Sequence, residues 1–351
     1  MLLTMAGRAV FITGAAGLLG GELTGQLIAR GYQVIGLVNR NPEICRNDHS
    51  VVEGVRTIKG DITAPRFGLD EGAWSALAAD VELIVHCAAI TDFAAEWDLH
   101  EAVNIDGTRH VLDLANAAGA GLVHVSTAYV CGDREGAILE SELEAGQGFT
   151  NGYEKSKNQA ERLVRDSAVP YAIARPSIVL GNHAEGRTRS FDTIYPIIKV
   201  LTEGRVTVMP ALPSATLDIV PIDYVCDGIV RMVERFDEAK GQTFHLVGSS
   251  PMPLDAFSRT APKFEGLHHP QFVDPAAFDL AALPSAERRF FQRGAEIYAR
   301  YFTRNPRFDD RAYRAFSGVE PPLTEDQWWE RLVTYAMDVG FIKPRKKPTA
   351  A

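Results

Sequence analysis

The sequence predicts an α/β fold, a doubly wound parallel sheet, followed by a smaller and mostly helical C-terminal lobe. Two observations predict it. Short apolar runs rich in β-branched residues alternate with helical patterns through the first half of the chain, which indicates strands buried in a parallel sheet. A glycine-rich turn separates the first apolar run from the first helical pattern. Together these features are typical of a Rossmann fold.

Composition and charge are typical of a globular enzyme. Hydrophobic residues make up 46% of the 351-residue chain and charged residues 23%, so the chain can bury a large core and is neither disordered nor a fibrous repeat. The formal net charge of −9 disfavours a nucleic-acid partner, which would need a dense basic surface. A basic cluster from Lys343 to Lys347 is explained better by a solvated terminus than by a docking site for an anionic partner.

Cysteine spacing and the N-terminal sequence predict a cytoplasmic protein. The four cysteines are far apart, so neither a zinc site nor a disulfide framework is expected, and the histidines show no metal-ligand spacing. The N-terminus reaches the glycine turn too soon for a signal peptide, and no run of 18 apolar residues follows. We therefore expect no metal and no integral membrane segment, and a homodimer only as the statistical default.

The elements follow one another in an order that supports this fold. A strand from Arg8 to Thr13, a helix from Leu18 to Arg30 and a strand from Tyr32 to Val38 form a βαβ unit. Further strands are predicted near 56–59, 82–86, 122–126 and 171–174, with helices near 71–79, 99–117 and 153–166. Strands at 217–220 and 243–247 are expected to complete the sheet.

The pattern loosens after Arg175 and Pro176, which predicts a second structural unit. We assign residues 1–180 and about 216–250 to an NADP-binding Rossmann domain, and about 181–215 and 251–343 to a substrate-binding lobe. Residues 344–351 are expected to form a flexible tail. The polar segment 182–190 fits a loop near the cleft and a plain surface connection equally well.

The glycine-rich turn Gly14-Ala-Ala-Gly17-Leu-Leu-Gly20 is a candidate cofactor site. Glycines permit the tight turn and let a diphosphate approach the N–H groups at the start of the helix, where Leu18 and Leu19 stand. A glycine triplet alone is weak evidence. The strand, turn, helix and second strand in the expected order make a turn without a ligand less plausible.

The end of the second strand favours NADP(H), with NAD(H) as the alternative. Asn39 and Arg40 stand where an acidic residue would favour NAD, and the Arg40 guanidinium can bind a phosphate. Arg40 could instead be a solvated loop residue. Asp61, followed by Ile62 after the third strand, could meet the adenine or cap the following turn.

Tyr153 and Lys157 are candidates for acid–base chemistry. Their i, i+4 spacing places them on one helix face, where the ammonium would lower the pKa of the phenol from about 10 toward neutrality. This pair is common by itself, but here it follows a predicted strand that ends at Ser126 and Thr127. Neighbouring strand side chains point to opposite faces, so only one of these two hydroxyls is expected at the site.

Several of these segments resemble the ordered motifs of extended short-chain dehydrogenase/reductases. They cover most of the chain from Arg8 to Gly181 and are TGAAGLLG, HCAA (His86 to Ala89), VNIDGT (Val103 to Thr108), STAYVCG (Ser126 to Gly132), YEKSK and RPSIVLG. The segments LVNR, HVSTAYV, DIVPIDYV, YFTRNPRFDDRAYRAF and YAMDVGFI resemble the thioester reductase and fatty acyl-CoA reductase branch. The sequence departs from that branch at Asn39, where arginine is common.

The resemblance implies a catalytic set of Thr127, Tyr153 and Lys157. The predicted cofactor contacts are Gly14, Gly17, Leu18, Leu19, Gly20, Asn39, Arg40, Asp61, Ile62, Cys87, Ala88, Ala89, Asn104, Tyr153, Lys157, Pro176 and Ser177. Asn104 could instead brace the main chain.

The implied reaction is NADPH-dependent reduction of an acyl thioester, carried by coenzyme A or a carrier protein, to an aldehyde and then an alcohol. Reduction of a ketone or aldehyde, oxidation of a hydroxyl group and epimerisation of a nucleotide sugar use the same scaffold and remain alternatives. A dinucleotide-binding protein without catalysis is an alternative of a different class.

Overall fold

The computed structural model describes residues 9–344, so the predicted flexible tail and most of the basic cluster from Lys343 to Lys347 lie outside the described residues. In chain order the strands are β1 (Ala9–Thr13), β2 (Val34–Val38), β3 (Arg56–Lys59), β4 (Val81–His86), β5 (Gly121–Val125), β6 (Gly136–Ile138), β7 (Tyr171–Pro176), β8 (Ile178–Leu180), β9 (Val208–Pro210), β10 (Thr216–Leu217), β11 (Ile219–Pro221), β12 (Thr243–Leu246), β13 (Met252–Pro253), β14 (Gln271–Val273) and β15 (Pro306–Phe308).

Helices follow most strands of the first half and dominate the C-terminal region. The α-helices are α1 (Leu18–Ala29), α2 (Glu71–Asp80), α3 (Trp97–His100), α4 (Gly107–Ala118), α5 (Gly152–Asp166), α6 (Tyr195–Thr202), α7 (Ile222–Glu234), α8 (Phe236–Ala239), α9 (Asp255–Thr260), α10 (Ser285–Phe290), α11 (Glu296–Ala299), α12 (Arg311–Ser317) and α13 (Asp326–Asp338). Two π-helical segments, Glu101–Asp106 and Phe291–Ala295, continue α3 and α10. None of the helices within residues 9–344 combines the length and apolar character needed to cross a lipid bilayer.

Seven strands form one parallel sheet in the order β12-β7-β5-β4-β1-β2-β3. The predicted doubly wound α/β fold is therefore confirmed. The strand order reverses at β1, whose neighbours are β2 on one side and β4 on the other. In open sheets of this kind, ligands bind outside the carboxyl ends of the strands at such a reversal.

Two helical layers cover the sheet. One face packs against α1, α7 and α12, and the other packs against α2, α4 and α5. On the first face Phe316 of α12 stacks on Phe244 of β12, with ring centroids 4.7 Å apart. Thus α12, placed by sequence in the substrate lobe, also contributes to the core of the sheet. The division of the chain into two domains stays a prediction.

A third hydrophobic cluster joins β8–β11 to α6, α9 and α13. It forms the core of the predicted helical lobe. Because β8 follows directly on β7, this cluster begins at the carboxyl edge of the main sheet. The lobe therefore stands beside the edge at which the predicted cofactor residues lie.

The prediction that residues 217–220 complete the main sheet is wrong. Strand β10 pairs antiparallel with β13, and β11 pairs in parallel with β8. The edge of the main sheet is already occupied there, because β12 pairs with β7 from Ile173 to Pro176. The segment therefore pairs beyond that edge, where β8 continues the path of β7. The strand predicted at 243–247 does join the sheet, as β12.

Candidate active site

The glycine-rich turn between β1 and α1 has the shape of an anion-binding cradle. Gly14 has a φ of 69°, in the left-handed region, and Gly17 N donates to Gly14 O over 2.8 Å. A Cβ on Gly20 would lie 2.1 Å from Gly14 O, so a larger residue cannot stand there. No side chain caps the start of α1, and its first turn carries no acidic residue. These features fit a dinucleotide diphosphate bound at Leu18 and Leu19.

Arg189 reaches the same turn from a distant part of the chain, and the sequence did not predict it. Its Nη2 donates to Ala16 O over 3.2 Å and to Gly17 O over 2.8 Å. Its Nε is buried and has no hydrogen-bond partner among the described residues. The side chain of Asn47 holds this loop, because it accepts from Arg189 N and donates to Arg187 O. Segment 182–190 therefore lies at the cofactor turn rather than on a remote surface.

The ends of β2 and β3 meet near the far end of this edge. Asn39 and Arg40 are exposed there. Asp61 accepts hydrogen bonds from Thr63 N and Thr63 Oγ1 over 2.9 and 2.8 Å, so it caps the following turn. These bonds, with the Asn39 amide and the Arg40 charge, hold the pKa of Asp61 below its ordinary value despite its burial. Cofactor contacts at Asn39, Arg40, Asp61 and Ile62 stay predictions.

The segment after β4 closes against the glycine turn. A Cβ on Gly14 would lie 2.8 Å from Ala88 N, so the two segments are in contact. Burial raises the pKa of the Cys87 thiol to about 12, which keeps it protonated and unreactive. Among residues 9–344, no group of three or more His, Cys, Asp and Glu side chains could hold a metal ion. Cofactor contacts at Cys87, Ala88 and Ala89 stay predictions.

Asn104 ties this segment to α5. Its Oδ1 accepts from Ile90 N over 2.9 Å, and its Nδ2 donates to Ser156 Oγ over 2.8 Å. It stands in the π-helical segment Glu101–Asp106, an irregularity frequent near functional sites. The contacts in the structure are those of a brace for the main chain, and its contact with the cofactor stays a prediction.

Thr127 and Tyr153 line one pocket at the carboxyl ends of β5 and β7. The pocket is lined by Phe93, Thr127, Tyr129, Tyr153, Ser177, Ile178, Thr193, Ile194, Tyr298 and Tyr301. Ser126 turns to the other face, where it donates to the buried Glu161 over 2.8 Å. As the alternation along a strand predicts, only one of the two neighbouring hydroxyls belongs to the pocket. Pro176 lies beside it, since its carbonyl accepts from Thr127 Oγ1 over 3.4 Å.

The protonation states of Tyr153 and Lys157 differ from the expectation. Burial raises the pKa of the Tyr153 phenol to about 12, although a hydrogen bond with Thr127 opposes the rise. Burial also lowers the pKa of Lys157 to about 8, while Glu161 opposes this shift. Lys157 Nζ donates to Val125 O over 2.7 Å. Burial penalises the phenolate as well as the ammonium, so Tyr153 stays a neutral proton donor at physiological pH.

A buried ion pair supports α5 from the opposite side of the sheet edge. Arg175 Nη2 donates to Glu161 Oε1 over 2.6 Å, and both side chains are almost fully buried. Although burial raises the pKa of Glu161, Arg175, Arg165 and Ser126 together hold it below its ordinary value. A charged Glu161 below Lys157 in turn helps the lysine to keep its proton.

The aromatic part of the pocket was not found from the sequence. Phe93 comes from the segment after β4, and Tyr298 and Tyr301 come from the C-terminal lobe, roughly 150 residues after Tyr153. No short motif connects positions so far apart, and aromatic residues in helical patterns are usually core residues. Only the packing of the lobe against the sheet edge brings them together.

Comparisons with known proteins agree with the motifs. An NAD-binding family model described as "Male sterility protein" matches residues 12–229. A linear gramicidin synthase from Brevibacillus parabrevis is 28% identical over 272 residues, which cover 71% of this chain and 5% of the synthase. Alcohol-forming fatty acyl-CoA reductase from Simmondsia chinensis is 27% identical over 277 residues, which cover 61% of this chain and 56% of the reductase.

A solved structure extends the similarity to the lobe. The terminal R domain from the myxalamid PKS-NRPS biosynthetic pathway superposes with a TM-score of 0.82 at 26% identity, covering 98% of this chain and 94% of that chain. The curated relatives are longer than the region they share with this chain, which spans only a twentieth of the synthase and about half of the reductase. The resemblance drawn from the motifs is confirmed.

Proposed function

The chain belongs to the NAD-binding male sterility protein family and is an NAD(P)-dependent oxidoreductase of the extended short-chain type, and from this premise we propose that it reduces acyl thioesters with NADPH. The observation that carries the proposal is the pocket, where the hydroxyls of Thr127 and Tyr153 lie among mostly apolar, aromatic side chains. Such a lining accepts an acyl group but would leave the hydroxyls of a sugar unpaired. The pocket therefore favours an acyl substrate over a nucleotide sugar.

In the proposed reaction, bound NADPH would supply a hydride to the carbonyl carbon of the thioester. The Tyr153 phenol and the Thr127 hydroxyl donate hydrogen bonds to the carbonyl oxygen as negative charge develops on it. The carbon–sulfur bond then breaks, the carbonyl re-forms as an aldehyde, and the sulfur leaves as a thiol after taking a proton. One thioester, one NADPH and one proton give one aldehyde, one thiol and NADP⁺.

Lys157 acts next to Tyr153 in this proposal. Its ammonium, held by Val125 O, would bind the hydroxyls of the nicotinamide ribose and keep positive charge beside the developing oxyanion. The preference for NADPH rests on Arg40 and Arg189, two guanidinium groups along the edge that carries the glycine turn. A second reduction of the aldehyde would give an alcohol. The thiol carrier is coenzyme A or a carrier protein, as the relatives' names suggest.

Titration and turnover of the purified protein test this proposal. NADPH and NADH binding are measured first by fluorescence, and nicotinamide absorbance is then followed with butyryl-CoA, free aldehydes, ketones and nucleotide sugars. Consumption of NADPH with the thioester, with release of one free thiol for each NADPH, is the expected result. Turnover of free carbonyls alone would contradict the thioester assignment, and conversion of a nucleotide sugar without net cofactor consumption would indicate an epimerase.

A further inference from the structure

We infer that Phe93 determines substrate specificity: its ring limits the pocket to compact acyl groups, because it is the one wall that can yield while the opposite wall is fixed by a buried ion pair. The inference rests on the proposed function and names the substrate class of the same pocket. It follows from how each aromatic ring around Tyr153 is held.

Phe93 stands between the candidate catalytic phenol and the lobe. Its ring centroid lies 5.8 Å from that of Tyr153, 5.8 Å from that of Tyr298 and 5.4 Å from that of Tyr301. The rings of Phe93 and Tyr301 are nearly parallel, with an interplanar angle of 8°. An acyl chain that extends from a carbonyl at Tyr153 toward the lobe must therefore pass Phe93 or displace it.

The wall formed by Tyr301 is fixed by buried charges. Glu154, which directly follows Tyr153, accepts from Tyr301 OH over 2.7 Å and from Arg304 Nη2 over 2.5 Å. Arg304 also donates to Gly132 O over 2.6 Å, and its guanidinium lies 4.2 Å from the centre of the Tyr301 ring. Glu154 and Arg304 are buried, so moving Tyr301 would disturb a desolvated ion pair.

The neighbouring rings on this wall are also held by polar bonds or full burial. Tyr298 OH donates to Thr193 O over 2.7 Å. Tyr129 is buried and packs edge-on against Tyr301 and Phe308 at 5.3 and 5.4 Å. These tyrosines therefore present ring faces to the pocket while their positions are fixed elsewhere.

Phe93 is held differently. Its side chain has no hydrogen-bonding group, and the residues around it, Thr91, Asp92, Ala94 and Glu96, are exposed. The local turn is closed only by Asp92, which accepts from Ala94 N over 2.9 Å. Dispersion contacts with three rings keep the half-buried phenyl group in place, and a competing apolar chain can replace those contacts. Compact acyl groups fit without this exchange, and long ones require it.

The test compares kcat/KM for butyryl-CoA and palmitoyl-CoA in wild type, Phe93→Ala and Phe93→Leu. Wild type is expected to prefer butyryl-CoA, and Phe93→Ala is expected to raise the palmitoyl-to-butyryl ratio by about tenfold or more, the scale of discrimination that an apolar pocket provides. Phe93→Leu, which keeps an apolar filling, should raise the ratio less. Phe308→Ala is the matched control, because it removes a ring that packs on Tyr129 outside the pocket and should leave the ratio unchanged.

An unchanged ratio in Phe93→Ala, or a wild-type preference for palmitoyl-CoA, would overturn the inference. Thermal unfolding of each variant checks that the change in ratio does not follow from misfolding. If wild type reduces no thioester, the proposed function fails, and the same ratio measured with butanal and hexadecanal then decides on Phe93 separately. A rise in that aldehyde ratio supports the role of Phe93, and a constant ratio excludes it.

Discussion

The pocket has two walls that use tyrosine in opposite ways. On the sheet wall, Tyr153 keeps its hydroxyl at the pocket beside Thr127. On the lobe wall, Tyr298 and Tyr301 donate their hydroxyls away to Thr193 O and Glu154, and only their rings line the pocket. The sheet wall is thus equipped for chemistry and the lobe wall for shape. The difference implies that changes in the lobe alter which acyl group is reduced, while changes in the sheet wall alter whether it is reduced.

The sharpest test of the sheet wall is Tyr153→Phe. Removing the phenolic proton donor should lower kcat by about 10³, the scale of general acid catalysis, because no other hydroxyl replaces it at the carbonyl oxygen. The dissociation constant for NADPH should stay within about twofold of wild type, since the ring is preserved. Stopped-flow turnover and fluorescence titration measure the two quantities. A kcat close to that of wild type would show that the two walls do not divide the work in this way.

On the lobe wall, Arg304→Met should act on stability first. It leaves Glu154 buried without its counter-charge, which should lower the free energy of unfolding by about 3 kcal/mol. Urea denaturation measures the loss. The double variant Arg304→Met with Glu154→Gln should recover part of it, because no buried charge then remains unpaired. If the single variant lost less than about 1 kcal/mol, the lobe wall would not be fixed by this pair.

The pH dependence of reduction separates Lys157 from Tyr153. With a pKa of about 8, Lys157 is charged below that pH and neutral above it, whereas Tyr153, with a pKa of about 12, keeps its proton throughout. The rate should therefore fall about tenfold between about pH 7 and pH 9. Lys157→Arg, which stays charged, should lose this fall even if its rate is lower. A fall of the same size in Lys157→Arg would assign the titration to another group.

Folding stability should respond to Lys157 in the opposite direction. Its pKa is lower in the folded state than the value of about 10.4 expected in the unfolded chain. Between these two values the unfolded state binds more protons, so the contribution of Lys157 to stability rises as the pH increases from about 8 to about 10. Comparing the denaturation of wild type and Lys157→Met across this range isolates the contribution.

The smallest expected effect concerns Arg189, which belongs to neither wall. Arg189→Gln should weaken NADPH binding by about fivefold, the scale of one charge-assisted hydrogen bond, and leave the preference among acyl chains unchanged. Arg187→Gln is the matched control, because Arg187 pairs with Glu185 on the same loop. Calorimetric titration with NADPH and NADH gives both affinities. Equal affinities in wild type and Arg189→Gln would remove Arg189 from the cofactor site.

The sheet wall could be predicted from the sequence because its determinants are local. A strand followed by a glycine turn and a helix, and a strand whose last residues are Ser126 and Thr127, are visible within short windows. The alternation of side chains along β5 was enough to expect that only one of the two hydroxyls belongs to the site. The segment 217–220 was misplaced because its apolar pattern says that it is a strand but does not say which partner it takes.

The lobe wall could not be predicted because it depends on contacts between distant segments. Glu154 and Arg304 are 150 positions apart, and neither residue belongs to a motif of its own. Arg189 reaches Gly17 across 172 positions in the same way. The raised pKa of Tyr153 was also missed, since the spacing to Lys157 reports proximity but not the burial that penalises the phenolate.

The central claim is that the sheet wall directs a hydride to the carbonyl carbon of an acyl thioester. Mass spectrometry of the product made from butyryl-CoA with NADPH deuterated at the transferred position tests this claim most directly. The account predicts butanal with one deuterium on its carbonyl carbon and one equivalent of free coenzyme A, at a rate that falls about 10³ in Tyr153→Phe. Recovery of intact butyryl-CoA with no loss of NADPH, under conditions where NADPH binds, would contradict it.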